Sequence, residues 1–178
     1  MNASIHDGSL LRAPLPEDRI TLVPDFGTRF MLFVDTEEEF DWTAPFSRTG
    51  HGVTALAGMA VGQSYFAAAG GKPLYGTDYP VVDDDAAAAI MGQWVADGSA
   101  DVGAHLHPWL NPPHLEEISA ANSYAGSLPE TLERAKLEAL CERIAARFGR
   151  RPIAYRAGRY GGGPNSARLL EGAGFRLG

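Results

Sequence analysis

The sequence predicts an α/β fold in which short buried strands alternate with helices. Its apolar runs are continuous rather than alternating, most clearly at residues 29–34, which is typical of strands buried on both faces of a parallel sheet. Segments whose apolar residues recur three and four positions apart separate these runs. Strands that alternate with helices form right-handed βαβ units, so we expect a parallel sheet flanked by helices.

Local signals mark the ends of the helices. An acidic triplet at residues 83–85 suits a helix start, because negative charge is favoured at a helix N-terminus. Ser127 and Glu130 have the spacing of a capping box, and Gly149 suits the end of the same helix. The predicted strands are 29–34, 72–78, 101–104, 152–155 and one that begins at 175, and the predicted helices are 53–69, about 86–97, 128–148 and 164–173.

Composition sets the class of protein. A chain of 178 residues suffices for one domain, and 45% hydrophobic with 21% charged residues excludes a disordered tail or a coiled coil. The formal net charge of −7 argues against a nucleic-acid partner. The single cysteine, Cys141, lies on an apolar helix stripe and cannot form an internal disulfide or a Cys-based zinc site. Any metal must therefore be held by His, Asp and Glu.

The N-terminal residues 1–28 are polar and rich in proline, and we interpret them as a leader that precedes a domain over residues 29–178. They lack the apolar core of a secretory signal. The chain also has no run of eighteen apolar residues, so we expect no membrane span and a cytoplasmic location.

Polar residues follow the predicted strands. Asp35, Asp78, His105 and Arg156 each stand at the carboxyl end of a strand. In parallel α/β sheets the loops at this edge converge on one crevice, where active sites are built. The four residues therefore predict one site.

Two short motifs at this edge have the residues of a metal site. Asp35 and Glu37 can point into one site, one binding a cation and the other accepting a proton, although a solvated acidic loop is an alternative. His105 and His107 lie two positions apart on an extended segment, so both side chains can face a metal.

A third motif, at residues 155–161, combines two arginines with glycines. Arg156 and Arg159 can hold a carboxylate bidentately, although a turn with two surface arginines is an alternative. The glycines match neither a Walker pattern nor a dinucleotide fingerprint, so a nucleotide site is set aside. Nearby aromatic residues offer flat surfaces for sugar rings or simply pack: Trp42, Tyr79, Trp109 and Tyr160.

Taken in order, VDTEEEFDW at 34–42, DVGAHLHPW at 101–109 and YRAGRYG at 155–161 resemble the polysaccharide deacetylase family, the NodB-homology carbohydrate esterases. The resemblance implies a distorted (β/α) barrel with an Asp-His-His metal site. It also implies a metal-dependent hydrolase that removes acetyl groups from N-acetylated sugars, with a carbohydrate as substrate.

The resemblance also implies roles for single residues. Asp35 corresponds to the catalytic base, Arg156 to the arginine that orients it, and Glu37 and His105 to metal ligands. The family's second histidine lies four residues after the first, where this chain has Trp109, so that role falls to His107. The predicted substrate-binding residues are Asp78, Tyr79, Trp109, Arg159, Tyr160 and Gly161, the last two near the turn that binds the oxyanion.

The expected cofactor is a divalent metal ion. Histidine and carboxylate ligands without a thiolate suit Zn²⁺ first, and also cobalt, nickel or manganese. Two alternatives remain open, an allantoinase-like amidohydrolase of a small cyclic amide and an inactive carbohydrate-binding module. Metal content and substrate assays separate these hypotheses.

We also expect this sequence to form only the N-terminal part of such a barrel. It has four strands and the start of a fifth, whereas a barrel of this kind needs about 250 residues. The family's late histidine, a general acid, has no match here; His51 and His114 lie in loops from which they could reach the site. We therefore expect either a C-terminal continuation or a partner chain, including a second copy.

Overall fold

A sheet of four parallel strands is formed between residues 33 and 157. They are β1 (Phe33–Thr36), β2 (Leu74–Thr77), β3 (Asp101–Leu106) and β4 (Tyr155–Ala157), paired in the order β1-β2-β3-β4. The computed structural model describes residue 13 and residues 15–177, and over them the sheet curls into a parallel half-barrel. The predicted α/β fold is therefore confirmed, and the strand order follows the order along the chain.

Helices connect the strands, as the sequence predicts. They are α1 (Leu56–Ala68), α2 (Tyr79–Asp83), α3 (Asp85–Ala96), α4 (Glu130–Phe148) and α5 (Ser166–Gly172), with 3-10 turns at Pro16–Asp18, Ala125–Ser127 and Gly158–Tyr160. The carboxylate of Asp84 accepts a hydrogen bond from the Ala87 amide, so the acidic triplet does cap α3. Short α2 was not predicted, because five residues are too few to show helical periodicity.

Several predicted boundaries are wrong. The strand predicted at 152–155 lies at Tyr155–Ala157, and the one predicted at 72–78 is limited to Leu74–Thr77. β1 begins at Phe33 instead of residue 29, and Phe30 is 89% exposed. Its partner strand follows Pro73, which has no amide hydrogen to donate, so pairing starts only at Leu74. The capping box at Ser127 does not form either, because α4 begins after Pro129 without a side-chain cap.

The ends of the described chain extend this picture. The backbone of Leu177 forms an isolated parallel bridge with Ala154 beside β4, in the segment where a further strand is predicted to begin. Of the predicted leader, residues 1–12 and 14 lie outside the described residues, and residues 15–17 and 19–28 are almost all exposed. No helix in the described part of the chain is long and apolar enough to cross a membrane.

The apolar core of the described residues lies between the sheet and the helices, chiefly α4. Tyr75, Val102 and Leu106 of the sheet share it with Leu140 and Ile144 of the helix, and all are nearly inaccessible. The thiol of Cys141 is buried in the same core, and this burial raises its pKa to about 11. Because a nucleophilic cysteine needs its thiolate form, the predicted core role fits this pKa.

One buried cation fixes the loop that follows β3. The ammonium group of Lys136, on α4, donates hydrogen bonds to the backbone oxygens of Pro108 (2.9 Å), Asn111 (2.6 Å) and Pro113 (2.7 Å). It also lies 3.0 Å from a carboxylate oxygen of Glu116. The lysine side chain is fully buried, so water does not compete for these partners. α4 therefore holds the loop in which His107 lies.

We expect Lys136→Met to lower the free energy of unfolding by about 3 kcal/mol, because three carbonyls and the Glu116 carboxylate lose their partner. Urea denaturation measures this change. Arg134→Gln, which removes an exposed cation from the same helix, should change it by no more than about 0.5 kcal/mol. A loss below about 1 kcal/mol for the lysine variant would contradict the proposed anchoring.

Candidate active site

A cleft of about 350 Å³ opens at the carboxyl ends of the strands. The parallel register places His105 of β3 directly beside Arg156 of β4, while Asp35 reaches the same edge from β1. The sequence motifs therefore meet in one place. The lining residues are Asp35, Glu37, Trp42, His105, His107, Tyr124, Arg156, Ala157, Arg159 and Tyr160.

One carboxylate lies between the two histidines. An oxygen of Glu37 is 3.0 Å from Nε2 of His105 and 3.2 Å from Nε2 of His107. Hydrogen bonds with His105 and His107 hold the pKa of Glu37 far below its usual range, against the opposing effect of burial. Both rings are almost inaccessible, whereas the Glu37 side chain is 33% exposed.

These three groups fit a divalent cation. Their ligand atoms lie within 4.8 Å of one another, and Nε2 of both rings lies next to the same Glu37 oxygen. Two neutral imidazoles and a carboxylate form a common N/O donor set for zinc and similar ions. Glu37, His105 and His107 are thus able to hold a metal together.

Arg156 lies beside Asp35 at the same edge. Its Nη1 atom is 3.3 Å from a carboxylate oxygen of Asp35, and its Nη2 atom donates to the Tyr160 hydroxyl at 3.2 Å. The guanidinium also lies over the rings of Phe33 and Tyr160. These contacts restrict the arginine, which in turn restricts the carboxylate. Asp35 is 34% exposed and remains open to the cleft.

A buried pair of carboxylates supports His107 from behind. Nδ1 of this ring lies 2.8 Å from an oxygen of Glu38, while Asp78 accepts hydrogen bonds from the backbone amides of Glu38 (2.9 Å) and Val81 (3.0 Å). Neither carboxylate side chain is exposed. A carboxylate on the far nitrogen of a ligating histidine fixes its tautomer and orientation. Glu38 and Asp78 therefore position the histidine.

The charge state of this pair follows from its contacts. Burial raises the pKa of Asp78, and the neighbouring Glu38 carboxylate raises it further. Burial also acts to raise the pKa of Glu38, but hydrogen bonds with His107 and Asp78 lower it overall. For His107, burial lowers the pKa, yet Glu37 and Glu38 outweigh it and raise the pKa to about 9. These opposite shifts favour an ionised Glu38 beside a neutral Asp78.

Sequence reasoning did not single out Glu38, because acidic residues usually lie on the surface. The available signal was the run of three acids after β1. In an irregular extended segment, successive side chains point in different directions. Glu37 enters the cleft, Glu38 enters the interior, and Glu39 accepts hydrogen bonds from the Thr54 hydroxyl and the Ala55 amide.

The predicted substrate-binding residues divide between the cleft and other places. Arg159 and Tyr160 line the cleft, and Tyr160 is 83% exposed at its rim together with Trp42. Trp109 is buried and stacks on the ring of His107, with 4.5 Å between the ring centroids. It therefore supports a histidine and presents no face to the cleft.

The structure places the other predicted residues outside the cleft. Asp78 is fully buried behind it, and Tyr79 lines a separate groove together with His51 and His114. Gly161 borders an adjoining groove, and its backbone amide already donates to the Gly158 carbonyl.

A stability measurement tests the structural role of Asp78. We expect Asp78→Ala to lower the free energy of unfolding by about 3 kcal/mol, because two buried backbone amides lose their acceptor. Asp84→Ala, which removes a less buried helix cap, should cost only about 1 kcal/mol. Equal losses in urea denaturation would show that Asp78 is merely a cap.

Comparison with known proteins gives a fold neighbour. No family model and no curated protein matches this chain. Among solved structures, the chitin deacetylase from the fungal pathogen Colletotrichum lindemuthianum is similar, with a TM-score of 0.54 and 14% sequence identity. The match covers 83% of this chain and 53% of that one, so this chain spans about half the neighbour's length. At this identity the likeness concerns the fold alone: the mixed α/β half-barrel is consistent with part of a deacetylase-like barrel.

Proposed function

We propose that this protein is a metal-dependent hydrolase that removes acetyl groups from N-acetylated sugars. The observation that carries the proposal is the convergence of Glu37, His105 and His107 beside the Asp35–Arg156 pair. These groups meet at the edge where α/β folds build active sites, on a fold similar to that of a chitin deacetylase.

The proposed ligands are Glu37, His105 and His107, and Zn²⁺ is the ion that suits them first. When bound, such an ion polarises an amide carbonyl and lowers the pKa of a water molecule. Glu38 and Trp109 keep His107 in place, one through a hydrogen bond and the other by stacking.

Asp35 is the proposed base. It takes a proton from the attacking water, and the new C–O bond is followed by cleavage of the amide C–N bond, which yields acetate and an amine. The protonated carboxyl can then return its proton to the departing nitrogen, so one residue serves in both directions. Arg156 is a positioning residue that keeps the carboxylate turned towards the cleft.

The exposed aromatic residues suit a carbohydrate. Trp42 and Tyr160 stand at the rim of the cleft, where their faces can pack against sugar rings.

The direct test is an assay of the purified protein on N-acetylglucosamine oligomers, with acetate release as the readout. We expect activity that is lost on chelation and restored by Zn²⁺. Opening of a cyclic ureide without acetate release would favour the amidohydrolase alternative. Metal-loaded protein that binds sugars but releases nothing would favour the binding-module alternative.

Zinc binding tests the ligand assignment. We expect one Zn²⁺ per chain by calorimetry and at least a 100-fold loss of affinity, about 2.7 kcal/mol, in His105→Ala. Glu38→Gln should lose about 10-fold to 100-fold, because the supporting carboxylate is gone. Glu39→Gln is the matched control and should bind normally, since this neighbour faces Thr54. Unchanged affinity in His105→Ala would show that the assignment is wrong.

Arg156→Lys tests the positioning of the base. A lysine carries the charge but cannot contact Asp35 and Tyr160 together, so we expect kcat to fall at least about 10-fold. The melting temperature should change little. Arg150→Lys, at an exposed ion pair with Asp101 at the other end of β3, should alter neither quantity. A parallel loss of kcat and stability in Arg156→Lys would indicate a purely structural arginine.

A further inference from the structure

Arg159 occupies an unusual backbone conformation in the cleft. Its φ angle is 55°, and the next residue, Tyr160, has the same value. Residues other than glycine rarely adopt this left-handed region, and two in succession are strained. Such strain persists where surrounding contacts hold it, and it is concentrated at binding and active sites.

Aromatic rings hold the guanidinium of Arg159 in place. It lies 4.2 Å from the ring centroid of Tyr124, 5.1 Å from that of Phe46 and 5.8 Å from that of Trp42. Its Nη1 atom donates a hydrogen bond to the hydroxyl of Ser123, whose own hydrogen is donated to the Ala120 carbonyl. The cation is thus oriented before any ligand arrives.

No carboxylate among the described residues balances the charge of Arg159. Every other arginine from Arg134 to Arg168 makes an ion pair at 2.5 to 3.3 Å, whereas Arg159 makes none with a described residue. Its neighbour in the cleft, Arg156, is already occupied by Asp35.

The remaining donors of Arg159 are accessible. Its Nε and Nη2 atoms make no hydrogen bond with the described residues, and neither atom is fully buried. Because the residue lines the same cleft as Asp35 and Glu37, a molecule bound there can reach these two donors. A guanidinium edge of this kind matches the two oxygens of an anion.

We propose that the substrate is an anionic N-acylated sugar, whose carboxylate or sulfate oxygens bind to Arg159 while its amide lies at the hydrolytic site. This inference rests on the proposed function and adds the substrate class. Carboxylate and sulfate present the same pair of acceptor oxygens, so the two sources are separated by experiment.

The test compares two matched pairs of sugars on the full chain. The first pair is a tetrasaccharide of alternating glucuronate and N-acetylglucosamine and its carboxyl-reduced derivative. The second pair is 6-O-sulfated and unsulfated tri-N-acetylchitotriose. For each pair we measure kcat/KM from acetate release and Kd by calorimetry, in the wild-type protein, Arg159→Gln and Arg159→Lys. Arg134→Gln, which removes an exposed cation outside the cleft, is the control.

We expect the wild type to prefer the anionic member of at least one pair by about 10-fold or more. Arg159→Gln should reduce the ratio to near one, Arg159→Lys should keep part of it, and Arg134→Gln should keep all of it. The pair that shows the preference identifies the anion. The wild-type ratio stands on its own, so a variant that fails to fold does not prevent the test.

Equal use of both members of both pairs, or a preference that survives in Arg159→Gln, would overturn the inference. So would the absence of binding by all four sugars. If acetate is released at equal rates from the anionic and the neutral sugar of each pair, the anion site is refuted but the proposed hydrolysis is not. Conversely, preferential binding of the anionic sugar without acetate release would contradict the hydrolysis and support the anion site.

Discussion

The hydrogen bond between Nδ1 of His107 and the Glu38 carboxylate decides which side of this imidazole faces the cleft. With Nδ1 engaged in the interior, Nε2 lies towards Glu37 and His105. Trp109 stacks on the ring at an interplanar angle of 19° and limits its rotation. A histidine at the end of a strand would otherwise have several rotamers, of which only some leave a nitrogen for the cleft. The rest of the site is arranged around this fixed ring.

Asp78 extends this constraint to the neighbouring strand. It follows β2 and accepts a hydrogen bond from the backbone amide of Glu38. It also caps the N-terminus of α2 by accepting a hydrogen bond from the amide of Val81. One buried carboxyl group therefore joins the first motif to the end of the second strand. Burial and the nearby Glu38 raise the pKa of Asp78, which favours its neutral form and so reduces the cost of burying this pair beside His107.

Two cations of this protein differ in their surroundings. Lys136 fixes the loop after β3 from inside the protein, where three carbonyls and Glu116 neutralise it. Arg159 packs against aromatic rings and a serine hydroxyl, with no acidic partner among the described residues. The difference is physical: a buried cation without a partner would be too costly, whereas a partly exposed guanidinium on aromatic faces is stable and remains able to bind an anion. The first cation is therefore structural, and the second is suited to recognition.

Much of the fold follows from local sequence patterns. Continuous apolar runs and helical spacing predicted the alternation of strands and helices, and the placement of Asp35, His105 and Arg156 at strand ends predicted that they would meet. These properties depend only on neighbouring residues and on the geometry of parallel sheets. The tertiary structure alone decided that Glu38 turns inward. It also decided that Trp109 stacks on His107, whereas the sequence suggested that Trp109 would offer a surface to the substrate. The reason is that burial and ion pairing depend on residues far away in the chain, which a local pattern does not contain.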